Sequence, residues 1–405
     1  MNPTSKIPVI SRQVWILCWI SFFTDVASEM LYPILPLYLS SIGYSFGWIG
    51  LLEGCAEATA GLSKGGFGKW SDASGKRVPF IQLGYALSAI SKPLLVAFRS
   101  IGWIFFARTL DRFGKGIRTG ARDALLSDEA TPETKGRIFG IHRAMDTSGA
   151  ILGPVLALAL MDTLELSYSS LFLISAIPGI CTVGLSWFLR EKEKSKEEKP
   201  VSEKNGFFDM FVYWKSSPKK YKTIVLLLLL FALANSSDLF LLFRVKQVLS
   251  SDRSMISVYI FYNLIYALFA FPFGYIADRI GLKRILSLGL ILFAVSYGGM
   301  GSAKELYEFV ILFFLYGMYS AATEGVAKAL ISNTIPSSEA ASALGTYAGL
   351  QSICLLVASV FAGWAWENVG PNFVFVFSAS VAGAVGIAVL VLKLERGDLR
   401  EKGSA

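Results

Sequence analysis

Seven ionisable side chains share one face of a segment that otherwise reads as membrane-spanning, and few folds can accommodate them. The segment runs from Ala107 to Leu126, ARTLDRFGKGIRTGARDALL, and carries Arg108, Asp111, Arg112, Lys115, Arg118, Arg122 and Asp123. On a helix turning about 100° per residue, all seven fall within an arc of roughly 140°. Each charge held at the centre of a bilayer costs on the order of 3 kcal/mol. The stripe cannot face lipid. It must look into a protein interior or a watery passage, and the rest of the chain has to enclose it.

The remaining sequence can do so. Of 405 residues, 54% are apolar and the mean hydropathy is +0.53, too hydrophobic for a soluble globular chain. A helix needs about 20 apolar residues to cross a bilayer, and it satisfies its own backbone there. Spans are expected near 14–39, 45–67, 79–98, 101–124, 138–161, 168–189, 222–247, 255–277, 283–302, 306–331, 340–364 and 371–393. The long polar interval, beginning REKEKSKEEKP, reads as a solvated linker over 190–222 between a six-helix bundle at 1–189 and another at 223–405.

The net charge of +8 does not call for nucleic acid, because the lysines and arginines gather in alternate loops. Lys69, Lys76, Arg77, Lys135, Arg137, Arg279, Lys283, Arg284 and the linker lysines fall on one side. That side, with both termini, is expected to be cytoplasmic, in a bacterial inner membrane. Phospholipid is a sufficient partner. The four cysteines are isolated, His142 is the sole histidine, and no metal-ligand spacing, nucleophile elbow or phosphate-binding loop occurs. Neither a metal, a cofactor nor an enzymatic activity is expected.

The two halves repeat. Gly68-Lys-Trp-Ser-Asp72-Ala-Ser-Gly75-Lys76-Arg77 corresponds to Gly274-Tyr-Ile-Ala-Asp278-Arg279-Ile-Gly281-Leu-Lys283-Arg284. Gly120, Ala124, Leu125, Ser127 and Gly140 match Gly325, Ala329, Leu330, Ser332 and Gly345 at one constant offset, and Glu29 likewise answers to Asp238. Parallel repeats related by an axis along the membrane normal are a known transporter plan.

These residues resemble the major facilitator superfamily over nearly the whole chain. GKWSDASGKR is similar to that family's signature G-x-x-x-D-R-x-G-R-K, departing at Ala73, and the second copy keeps the basic residue as Arg279. The resemblance implies an all-α membrane protein with twelve transmembrane helices in two pseudo-symmetric six-helix bundles. It also implies that Asp72 and Asp278, with Arg77 and Arg279, lock neighbouring helix ends in one conformer. Arg108-Thr-Leu-Asp111-Arg-Phe-Gly114-Lys-Gly116 resembles R-x-x-Q-G-x-G-x-G, whose arginine is associated with proton coupling; Asp111 and Arg112 depart from it. Gly140, Gly149, Gly153 and Pro154 resemble the antiporter signature G-x8-G-x3-GP, without its closing glycine pair. In the family that ridge packs across the interface between halves and favours exchange.

Further charges lie in the apolar runs: Asp25 and Glu29 one turn apart, Glu53 and Glu57, His142, Arg143 and Asp146, Asp238, and the Glu324–Lys328 pair. Two roles compete for them. One is structural pairing, Asp111 with Arg108 or Lys115, and Asp123 or Asp146 with Arg122 or Arg143. The other is transport, in which a carboxyl group exchanges a proton as its partners change. Asp25 and Glu29 lack a basic neighbour in their own helix and are the first proton candidates, followed by Glu53 and Glu57, with Arg108 carried over from the resemblance. Arg118 and Arg122, as forked donors, suit a carboxylate or phosphate, and with Asp146, Asp238 and Glu324 they form the candidate substrate set. Neutralised by surrounding acids, the same cavity would take a neutral or cationic molecule. The expectation is a monomeric, proton-coupled antiporter exporting a small organic molecule; the alternative is an exchanger or importer of an organic anion or phosphorylated metabolite.

Overall fold

The computed structural model describes residues 10–130, 135–191, 209–335 and 339–392, and every regular element among them is a helix. In chain order these are α1 (Arg12–Glu29), α2 (Ile34–Ser41), α3 (Phe46–Ser74), α4 (Val78–Ala97), α5 (Ile101–Asp128), α6 (Lys135–Leu164) and α7 (Tyr168–Ser186). They continue with α8 (Asp209–Ser216), α9 (Lys219–Ala232), α10 (Leu239–Leu249), α11 (Asp252–Ile280), α12 (Leu282–Met300), α13 (Leu306–Ser332), α14 (Ala340–Asn368) and α15 (Pro371–Val391).

Spans one and seven, expected to be continuous, are each broken. The chain leaves α1 for α2 across 30–33 and α9 for α10 across 233–238. The first break ends in Pro33, which lacks an amide hydrogen and disfavours helical geometry at Tyr32. The second contains Asn235, Ser236, Ser237 and Asp238, whose short polar side chains compete for backbone groups; Ser237 Oγ accepts from the amide of Leu239 at 3.4 Å. Taking each broken pair as one span, and α8 as a short extra helix, the protein has twelve spans in two six-helix bundles. Among the described residues, nine of these are long and apolar enough to cross a membrane on composition alone. The other three are α3, α5 and the interrupted α9–α10.

Within the first bundle α5 packs between α3 and α4, while α1 packs on α6 and α7. Close approach is what buries a helix so heavily charged. A Cβ at Gly114 would stand 2.5 Å from the Gly84 carbonyl of α4, and one at Gly116 would stand 2.9 Å from the Ala60 carbonyl of α3. Between bundles, α3 runs along α14 and α6 meets α11. Spans two and eleven, and five and eight, exchange places under the internal repeat, so the interface is pseudo-two-fold.

The two ends of the interface differ. The basic-loop end holds the α3–α4 and α11–α12 turns. Away from it, one apolar core runs through both bundles, joining Leu37, Leu39, Ile49 and Ile104 to Phe240, Met255, Tyr259 and Trp366. At the basic-loop end the first bundle keeps a separate core of Val14, Leu17, Ile81, Leu125 and Ile138. The bundles are fused at one end and parted at the other.

Candidate functional site

The inner part of the α5 stripe is neutralised by side chains from α3 and α4. Arg108 makes a forked pair with Glu53, Nε to Oε1 at 2.7 Å and Nη2 to Oε2 at 2.8 Å, and Glu53 is 1% exposed. Arg108 Nη1 also donates to Asp111 at 3.3 Å. The other Asp111 oxygen accepts from Ser88 at 2.9 Å and lies 3.7 Å from Lys92 Nζ. Ser88 accepts from Arg118 at 2.7 Å, and the Arg118 guanidinium sits 4.6 Å over the ring of Tyr85. Arg112 pairs with Glu57 at 3.1 Å. The Arg108–Asp111 pair matches expectation. Glu53 as the main partner of Arg108, and Lys92 as a fourth cation, do not.

A second group lies where α1, α5 and α6 converge. Arg122 bonds Asp123 at 2.9 Å and Ser21 Oγ at 3.3 Å. Ser21 donates to Asp146 Oδ1 at 2.6 Å, and Asp146 Oδ2 accepts from Arg143 at 3.3 Å. Asp25, one turn along α1 from Ser21, lies beside the same stretch of α6: a Cβ at Gly149 would stand 3.1 Å from the Asp25 Cβ. Arg143 then crosses to the second bundle, bonding the Tyr266 hydroxyl and Glu324 at 3.4 Å; Glu324 also accepts from Tyr266 and lies 3.6 Å from Lys328. Arg143, Tyr266, Glu324, Lys328 and Asp278 line a cavity of about 420 Å³ towards the basic-loop end. His142 is buried, and its Nε2 lacks a hydrogen-bond partner among the described residues.

The pseudo-symmetric acids Glu29 and Asp238 each sit at a helix break, and each accepts from a tyrosine of the second bundle. Tyr259 donates to Glu29 at 2.6 Å and Tyr316 to Asp238 at 2.5 Å. Tyr32 stacks on Tyr259 with centroids 5.3 Å apart; Tyr262 lies 6.0 Å from Tyr259 and 5.2 Å from Tyr316. An aromatic wall thus runs between the two carboxylates. Tyr32, Tyr262 and Tyr316 stand out in the sequence as potential lining; Tyr259 does not.

The remaining expected residues are placed as follows. Gly149 and Gly153 do not pack across the interface between halves. A Cβ at Gly149 would meet the Phe22 carbonyl at 2.4 Å and one at Gly153 the Met30 amide at 2.6 Å, so the ridge receives α1 of its own bundle. Pro154 lies inside α6 without breaking it. Arg77 reaches Asp128 at 3.7 Å, and Glu191 caps α4 through the amides of Arg77 and Val78 at 2.7 and 2.6 Å. The side chain of Asp72 lies outside the described residues. Asp278 is exposed on the cavity wall, and Arg279 stacks on Tyr275 of its own helix at 4.4 Å. Among the described residues, neither clamps a neighbouring helix end. Besides the links of Arg143 to Tyr266 and Glu324 and of Tyr259 to Glu29, three polar links join the bundles at the opposite end: Arg253 to Asp162 at 2.9 Å, Tyr168 to Asp252, and the Gly47 amide to Glu367 at 2.8 Å.

Comparison with known proteins agrees with this geometry. The sequence model of the Major Facilitator Superfamily matches residues 17–262 and 245–405. An uncharacterised MFS-type transporter of Methanocaldococcus jannaschii is 35% identical over 390 residues, covering 95% of each chain. A multi-drug resistance efflux pump homologue of Lactococcus lactis is 22% identical over 84% of this chain and 83% of its own. Among solved structures, a nucleoside transporter superposes with a TM-score of 0.78 at 14% identity, over 94% of this chain and 99% of that one.

Proposed function

Because the chain belongs to the Major Facilitator Superfamily, whose members move solutes across membranes, we propose that it exports a small organic molecule in exchange for protons. The positive-inside asymmetry puts the basic-loop end in the cytoplasm. On that orientation the 420 Å³ cavity opens to the cytoplasm, and the fused core with its three polar links closes the outer end. The conformer is then the one that loads substrate from inside. Exchange of the open end would follow from rocking of the two bundles about the pseudo-two-fold interface.

One observation carries the proton reading: Asp25 and Asp146 converge where α1 packs on α6, since Ser21, one turn from Asp25, donates to Asp146 at 2.6 Å and a Cβ at Gly149, three residues after Asp146, would stand 3.1 Å from the Asp25 Cβ. Two carboxylates brought together away from water repel, which favours keeping one proton on the pair. Arg122 and Arg143 stand ready to balance the charge once it leaves. Arg143 is shared between Asp146 and Glu324 of the second bundle, so loss of the proton from Asp25 would add negative charge beside Asp146, draw Arg143 off the interface and loosen one bundle from the other. Glu53, Glu57 and Arg108, the other proton candidates, are assigned to holding α3 against α5. The aromatic wall between Tyr32 and Tyr262, with Glu29 beside it, suits a flat molecule with a positive charge. Arg118 and Arg122, the forked donors an anion would need, are occupied by Ser88 and Tyr85 and by Asp123 and Ser21. Export is supported by the name of the Lactococcus relative.

The test uses full-length protein reconstituted with the basic-loop end outward and an acid-inside gradient. A fluorescent planar cation should accumulate in the vesicles, accumulation should stop when the gradient is collapsed, and it should be lost in Asp25→Asn and Asp146→Asn. Uptake indifferent to the gradient, or intact in both variants, would overturn the proton assignment.

A further inference from the structure

The break in span seven carries more oxygen than closing a helix requires. The break in span one, 30–33, reads Met-Leu-Tyr-Pro, whereas 233–238 reads Leu-Ala-Asn-Ser-Ser-Asp. Three buried oxygens there have no hydrogen-bond partner among the described residues: Asn235 Oδ1, Ser236 Oγ and the Tyr297 hydroxyl. Ser236 is 4% exposed and Tyr297 fully buried. They lie in one region, since the Tyr297 ring packs 5.9 Å from that of Tyr316 and Tyr316 donates to one oxygen of Asp238, two residues after Ser236. Asn235 spends its amide nitrogen on the Tyr319 hydroxyl at 3.3 Å, which leaves Oδ1 as the open atom. The backbone departs from helical bonding over 235–237, freeing carbonyls in the same place.

We infer that this break is a binding site for a single monovalent metal cation, sodium in the first instance. The donor set is entirely oxygen, the preference of hard cations. It carries one carboxylate among neutral oxygens, so one positive charge neutralises it. Calcium sites recruit more carboxylates, and magnesium demands near-ideal octahedral geometry. Unwound carbonyls and helix C-terminal ends at a broken span are a recurrent way to hold such an ion inside a membrane, and the C-terminal end of α9 points at this one. The bound ion would tie Asn235 and Ser236 of the break to Tyr297 of α12, fixing the angle between α9 and α10. This inference is independent of the proton reading, which rests on Asp25 and Asp146 in the other bundle.

The experiment measures radioactive sodium binding to purified full-length protein in nanodiscs, with N-methylglucamine chloride holding ionic strength constant. Saturable binding of one ion per chain is expected, abolished in Asp238→Asn and weakened at least about tenfold in Ser236→Ala and in Tyr297→Phe. The two milder variants decide the matter if Asp238→Asn does not fold. Binding no greater than in N-methylglucamine alone, or unchanged in both milder variants, would overturn the site. Competition by tetramethylammonium at sodium's own potency would overturn it too, by giving these oxygens to an organic ammonium group. Proton-driven export without sodium binding would sink this inference and leave the exporter reading standing.

Discussion

At the residue scale, the feature with most consequence is the forked Glu53–Arg108 pair, because both partners are buried. Removing one partner of such a pair strands the other charge at a cost of roughly 3–5 kcal/mol. Glu53→Gln is therefore expected to lower the thermal midpoint of the purified protein markedly, and adding Arg108→Gln should recover part of the loss. Glu57→Gln should lower it less, since the Glu57 side chain is 41% exposed and water can reach the pair, although Arg112 opposite it is buried. The stripe itself was legible in the sequence because helical periodicity alone fixes which side chains of α5 share a face. Its partners were not, since Glu53 lies on another helix and no spacing rule relates the two. Lys92 left a signal, a single cation within the apolar run of α4.

At the scale of elements, proline proved an uncertain guide. Pro93, Pro154, Pro178 and Pro272 all lie inside unbroken helices, while the break at 233–238 contains none. Neighbouring helices can satisfy the carbonyl a proline frees, so the outcome depends on packing that one segment does not encode. The antiporter-like glycines divide in the same way. At Gly153 an added Cβ would meet backbone atoms of α1, the Met30 amide at 2.6 Å and the Val26 carbonyl at 2.7 Å, whereas at Gly140 it would meet nothing within 4 Å. Gly153→Val is expected to reduce the yield of monodisperse protein on size exclusion and Gly140→Ala to leave it unchanged, although the motif treats the two alike.

At the scale of the whole molecule, the twelve spans and their duplication were readable from hydropathy and from the doubled loop signature. Which end of the interface is closed was not, because it depends on contacts between halves far apart in sequence. In a cysteine-free background, Asp278→Cys should react quickly with a polar maleimide and Ala362→Cys, at a buried position of α14, slowly. Adding Gly363→Val, whose Cβ would press on the Phe46 carbonyl at 2.8 Å, should wedge α14 from α3 and speed the reaction at 362. Equal rates at both positions, with or without the wedge, would contradict the asymmetry.

The shared core at the sealed end has a thermal corollary. Prying that end apart would wet aliphatic and aromatic surface, a process with a large positive heat capacity whose penalty shrinks as water cools. The population accessible from the far side should therefore grow towards ice temperature and in dilute urea, before any helix melts. If the bundles rock as proposed, temperature would act on this protein as a ligand that selects between its two faces.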